Sequence, residues 1–195
     1  MDSITSFLFG GLATALLFPF SSYLLIRMLN AARTKIVIEP AMENTVGKYT
    51  TIGLRIENKS WATLKNLTAF ISIKYTAEDI QPDPNIQAYS VTTSDRPLML
   101  SWAKVVDGNN IPHIDLNQAE PADLNLIRSY SSFNLPILQV ASEQGFGGAG
   151  TGKKGRLILR SDKNYCFQIL LTADNMLPIK NQYEYDSESN TVINR

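Results

Sequence analysis

From Ser3 to Ile26 the chain carries no charged residue and shows no polar face. At a rise of 1.5 Å per residue, ~24 helical residues reach across a hydrocarbon core of ~30 Å. A cleaved signal peptide would want a basic start, a shorter apolar core and a small-x-small cleavage site. Here Asp2 is the only charge before the run, and Asn30 stands beside Ala31-Ala32 where another small residue is wanted. A buried core helix would carry a polar stripe. The pattern therefore predicts a retained transmembrane helix. It divides the chain into an anchor over residues 1–29, a linker over 30–34 and a single domain over 35–195.

Beyond the linker the period changes to two. Lys35–Glu39 reads as a first strand ended by Pro40. Ile52, Leu54 and Ile56 alternate with Arg55 and Glu57, and Leu67, Ala69, Ile71, Ile73 and Tyr75 alternate with Thr68, Ser72 and Lys74. With Asn58-Lys59-Ser60 as a turn, these two strands read as an antiparallel pair. Leu98, Leu100 and Trp102 resume the alternation, Asp107–Asn110 signals a turn, and short strands follow around Ile114, Leu124 and Leu135–Val140. Leu157–Leu159 and Tyr165–Leu171 come next. Tyr183–Tyr185 and Thr191–Ile193 flank Asp186–Asn190 as a terminal hairpin. Roughly eight to ten short strands with no amphipathic helix define a mainly β protein, a Greek-key β-sandwich behind one N-terminal transmembrane helix.

Leu54-Arg55-Ile56-Glu57-Asn58, followed by Ala62 and an alternating strand, resembles immunoglobulin-like and adhesion-type modules of bacteria and archaea. In those, a V-x-N turn precedes an A-x-x-V strand. Leu100-Ser101-Trp102, Ile114-Asp115-Leu116 and Thr172–Asn175 before Pro178 resemble uncharacterised membrane-tethered proteins of that shape. Gln118-Ala119-Glu120 departs from their Pro-Gly-Glu turn. The resemblance spans about residues 35–185. It implies an immunoglobulin-like β-sandwich and no activity.

Charge adds direction. Arg27, Arg33 and Lys35 follow the span and no basic residue precedes it, so the N-terminus is expected outside and the β domain in the cytoplasm. Ser6, Gly10 and Thr14, like Gly11 and Ala15, stand four apart, a spacing that lets helices approach and self-associate. Pro19 predicts a kink, and Tyr23 suits the interface. Formal net charge is zero over 195 residues, which argues against nucleic acid as a partner. The single cysteine, Cys166, excludes an intrachain disulfide and a thiolate cluster, in keeping with a reducing compartment.

The candidate chemistry is sparse. Gly147–Lys154 matches the spacing of a phosphate-binding loop, but Lys154 stands where Ser or Thr should ligate magnesium. The following Arg156–Arg160 reads as a strand, where the phosphate cradle needs a helix. Gly145–Gly155 is therefore expected to be a loop without nucleotide affinity. Its Phe146, Lys153, Lys154 and Arg156 are candidates for contact with a partner or with lipid headgroups.

His113 is the lone histidine, without a nucleophile elbow, and reads as a surface or strand-edge residue. Glu78, Asp79 and Asp83 read as solvated loop charge. Cys166 falls on the face opposite Tyr165 and Phe167, as an inert strand residue. Trp61 and Trp102 read as core or sandwich-end packing. Asn58-Lys59-Ser60 and Asn66-Leu67-Thr68 are glycosylation sequons that matter only for a domain outside the cell.

No catalytic residue, cofactor or metal site is assigned. The function expected is a non-catalytic interaction or accessory subunit at the membrane surface. Its partners would be membrane lipid, another membrane protein or complex, or a second copy through the span. The alternative is an enzyme or ligand receptor with its site in loops 77–97 and 141–156.

Overall fold

A computed structural model of the chain describes residues 18–44, 49–80, 97–103, 105–106, 109–132, 134–141 and 157–195. A helix over residues 18–32 leads into strands β1 (Thr34–Asn44), β2 (Tyr49–Asn58), β3 (Leu64–Ile73), β4 (Leu98–Met99), β5 (Val105–Val106), β6 (Asn109–Asn110), β7 (His113–Leu116), β8 (Pro121–Ser132), β9 (Leu135–Val140), β10 (Ile158–Arg160), β11 (Tyr165–Ala173), β12 (Met176–Asp186) and β13 (Thr191–Asn194). One sheet runs β1-β2-β8-β9-β10. The other runs β13-β12-β11-β3-β4, with β7 also on β3, and β5-β6 form a small ribbon. The paired strands are antiparallel throughout the described residues.

The chain is mainly β, and the period-two pattern explains its layers. Along β11, Tyr165, Phe167, Ile169 and Leu171 are buried while Cys166, Gln168, Leu170 and Thr172 stand on the outer side. Across the core they meet Ile52, Leu54 and Ile56 of β2 and Leu124 and Leu126 of β8 in one apolar cluster. Each fully buried Leu or Ile contributes about 1.5–3 kcal/mol over leaving it in water. Trp102 fits the core reading. It is fully buried and donates its Nε1–H to Leu67 O at 3.2 Å.

Two expectations of the strand reading need correction. β2 and β3 are not a hydrogen-bonded pair: β2 pairs with β1 and β8, and β3 with β11, β4 and β7. Both present one apolar face to the same core, a pattern that suits facing sheets as well as neighbouring strands. The residues between them instead carry the chain from one sheet to the other. Pro40 does not end the first strand either. β1 continues to Asn44 with its register shifting between Glu39 and Met42. Proline is tolerated there because β1 is an edge strand and the irregularity needs no donor from it.

A second irregularity sits between β2 and β8, where Ile52 pairs with Ile127 but Gly53 pairs with Asn125. The extra residue, Leu126, is buried beside Ile127. Gly53 suits this bend, since a Cβ there would stand 3.0 Å from Leu124 O, a tight contact with backbone.

Most of the predicted span, residues 3–17, lies outside the described residues. Among the described residues no helix is long and apolar enough to cross a membrane. The described helix begins at residue 18 and continues to 32, through much of the predicted linker.

Candidate functional site

The most distinctive local arrangement is the collar where the helix meets the sandwich. The helix leaves its apolar side chains bare: Phe18 is 71% exposed, Phe20 65%, Leu25 56% and Ile26 53%. Near its C-terminal end Ala31 packs against the core, and polar groups make the hydrogen bonds to the sandwich. Arg27 donates from Nε and Nη2 to Met176 O at 3.3 and 2.9 Å, and the buried Asn30 donates to Asn175 O at 2.8 Å. Tyr23 OH reaches Asp174 O at 3.4 Å, and Thr34 Oγ1 donates back to Asn30 O at 2.9 Å. Cationic Arg27 and Arg33 also suit the negative end of the helix dipole.

The turns under the collar are fixed by buried polar side chains. Asn58 is fully buried and donates its amide to Ala62 O and Leu116 O at 2.9 and 2.8 Å. Its Oδ1 accepts from Ser60 N at 3.0 Å and from Ser60 Oγ at 2.6 Å. Asn175 spans the other side, donating to Thr63 O at 2.9 Å and accepting from Lys65 N at 3.1 Å. The turn residues Asn, Asp and Ser favour such local side-chain bonds. They lock together the links β2–β3 and β11–β12, which carry the helix.

Trp61 is not core packing. It is 68% exposed, and the Arg33 guanidinium carbon lies 3.5 Å from the centroid of its ring. Lys59 N donates to Arg33 O at 3.0 Å, tying the same link to the residue after the helix.

At the other end of β3 lies a second polar cluster. Asp79 is buried, against the expectation of solvated loop charge. It accepts from Lys163 Nζ at 2.6 Å, from Thr76 N at 2.7 Å and from Thr76 Oγ1 at 2.8 Å. Burial alone would raise its carboxyl, but the bonds from Lys163 and Thr76 outweigh this and hold it below the ordinary carboxylate value. Burial pushes the Tyr185 hydroxyl up to about 12, and that hydroxyl donates to Asn190 Oδ1 at 2.9 Å. Ser129 Oγ of β8 donates to the same oxygen at 2.7 Å, so Asn190 bridges the two sheets.

Phe146, Lys153, Lys154 and Arg156, together with the rest of Gly145–Gly155 and Asp83, lie outside the described residues. His113 is exposed at the start of β7, and Cys166 is half-buried on the outer side of β11. There a shallow depression of about 500 Å³ is lined by Lys74, Cys166, Gln168, Gln182 and Arg195. Arg195 is held at 2.6 Å by Glu184. Among the described residues no three His, Cys, Asp or Glu side chains gather as they would around a metal ion.

Sequence reasoning missed the Arg33–Trp61 stack and the Asp79–Lys163 pair. Turn chemistry at Asn58-Lys59-Ser60 was the one signal for the collar. The sequence matches no known family model, and no curated protein resembles it closely enough to count as a relative.

Proposed function

We propose that the chain is a single-pass membrane-anchored protein whose β-sandwich serves as a non-catalytic interaction or accessory subunit beside the bilayer. The observation that carries this reading is the bare helix. Phe18, Phe20, Tyr23, Leu24, Leu25, Ile26, Met28 and Leu29 are all between 38% and 71% exposed. At 100° per residue these positions lie all round the helix. Burying a large apolar side chain is worth about 1.5–3 kcal/mol, so a helix apolar on every side needs an apolar surrounding. The uncharged residues 3–17 before it extend the same composition to the length of a span.

Arg27, Arg33 and Lys35 on the sandwich side favour a cytoplasmic domain. An interaction role is supported by how the polar groups are used. Asn58, Ser60, Asn175, Asp79 and Tyr185 each bond a backbone group within the sandwich. The immunoglobulin-like reading draws on the crossing from β2 to β3, on β11 lying beside β3 and on β12 lying beyond β11. In an immunoglobulin domain the strand beside the second one leads directly into the opposite sheet. Here β8 holds that place and β9 and β10 follow outward before β11, so any likeness is to the sandwich rather than to the full strand order.

Alkaline carbonate extraction tests the anchor. The full chain should stay with the membrane pellet and be released by detergent, and a chain lacking residues 1–32 should leave the pellet. A full chain washed off by carbonate would contradict the reading.

A further inference from the structure

The helix ends at residue 32 and β1 starts at Thr34, so Arg33 alone joins the apolar segment to the sandwich. This joint is not a loose tether, because Arg27 and Asn30 are bonded to the β11–β12 turn. The sandwich end therefore stands at a set distance from the apolar helix. On that end Trp61 is the most exposed large hydrophobic residue of the sandwich among the described residues, at 68%. Its turn is held by the buried Asn58 and Ser60, so the ring is presented by a fixed backbone.

We propose that Trp61 and Arg33 form a lipid-contact pair, seated in the headgroup layer of the leaflet that holds the helix. The inference rests on the membrane-anchored reading above and adds where the sandwich touches the bilayer. An indole has an apolar body and one polar N–H, which favours the boundary between headgroups and acyl chains. The guanidinium lies 3.5 Å from the ring centroid and makes no hydrogen bond to another described residue, so its planar fork of donors is free to take lipid phosphate oxygens. The depth agrees. Seven residues from Ile26 to Arg33 span ~10 Å of helix axis. The headgroup layer extends ~5–8 Å beyond the hydrocarbon on each side, which leaves a few Å for the long Arg33 side chain and the indole to span.

The full-length chain reconstituted into phosphatidylcholine vesicles tests this. Flotation of the chain with the vesicles reports the anchor, and emission from Trp61, taken as wild type minus Trp61→Phe, reports the contact. Trp102 is buried and cancels in the difference. If Trp61→Phe loses its β spectrum, Trp102→Phe isolates the same signal directly. Lipid brominated high on the acyl chain should quench Trp61 several-fold more than aqueous iodide, and Arg33→Gln should raise the iodide quenching.

A chain that fails to float overturns the anchor and this inference together. A chain that floats with Trp61 quenched by iodide and not by bromine leaves the anchor standing and overturns the contact. Shielding from both quenchers means that protein covers Trp61, a partner or a second copy, and also overturns it.

Discussion

Lys163 Nζ lies 2.6 Å from Asp79 Oδ1, closing a bond between residues 84 positions apart. It fastens the turn after β3 to the link between β10 and β11, and Thr76 completes the carboxylate's partners from its own turn. Asp79→Ala strips two donors of Thr76 and the lysine of their acceptor. It should cost about 1.5–3 kcal/mol, the usual range for hydrogen bonds to a charged group. Lys163→Ala should cost less, about 1 kcal/mol or below, because the lysine side chain is 42% exposed and Thr76 still holds the other carboxylate oxygen, Oδ2. Urea unfolding of the detergent-solubilised chain measures both. A larger loss at Lys163 than at Asp79 would contradict this ranking.

The same carboxylate sets a pH dependence. Its folded value lies below the ordinary one, so its contribution is fully present above the unfolded carboxylate value of about 3.9 and is lost as pH falls through the folded value. The gap in thermal midpoint between wild type and Asp79→Asn should therefore be constant near neutrality and close below about pH 4. A gap that persists unchanged in acid would show that the charge of Asp79 contributes nothing.

Ile71 and Ile169 face each other in register across β3 and β11, and Leu54 lies opposite in the other sheet. All three are 1% exposed or less. Truncation of each to Ala should cost about 2–5 kcal/mol. The Ile71–Ile169 double variant should depart from additivity because the two sites are neighbours. Losses under about 0.5 kcal/mol at all three, as at surface positions, would contradict the assigned faces.

Gly53 tests the bend between β2 and β8. Its absent Cβ would meet a backbone oxygen, Leu124 O, at 3.0 Å, and backbone cannot swing aside as a side chain can. Gly53→Ala should destabilise by about 1–3 kcal/mol, as overpacking does. An unchanged denaturation midpoint would mean that the strands relax freely there.

Much of the sandwich was legible because a strand with one buried face must alternate. β2, β9, β11 and the β12–β13 hairpin follow their apolar positions closely. The partner of each strand was not legible. The faces of β2 and β3 carry the same inward pattern whether they pair or oppose, and the partners they take, β8 for β2 and β11 for β3, lie far along the chain. Asp79 looked solvated because its partner Lys163 is far along the chain, and nothing local marks such a pair. Trp61 looked like packing because composition says that tryptophan is apolar and cannot say which turn carries it outward. The residues singled out in the glycine-rich stretch, Phe146 with Lys153, Lys154 and Arg156, lie outside the described residues. The collar is built from turn residues whose chemistry the sequence displayed without showing what they join.

Topology has its own readout. Asn58 is fully buried with its amide donating two bonds, which leaves the exposed Asn66 as the accessible sequon. For a cytoplasmic domain, protease added to intact cells should leave the sandwich uncut and Asn66 should carry no glycan. Digestion from outside, or glycan on Asn66, would place the domain on the other face.

The central claim is that the helix lies in hydrocarbon from residue 18 to about Ile26, with its sandwich end at the surface. Leu25 is 56% exposed on that helix. In a Cys166→Ser background, Leu25→Cys carrying a nitroxide label in reconstituted vesicles reports what surrounds it. Frequent collision with oxygen and little with a water-soluble nickel chelate is the result expected for hydrocarbon. Ready collision with the nickel chelate would put the helix in water and contradict the account.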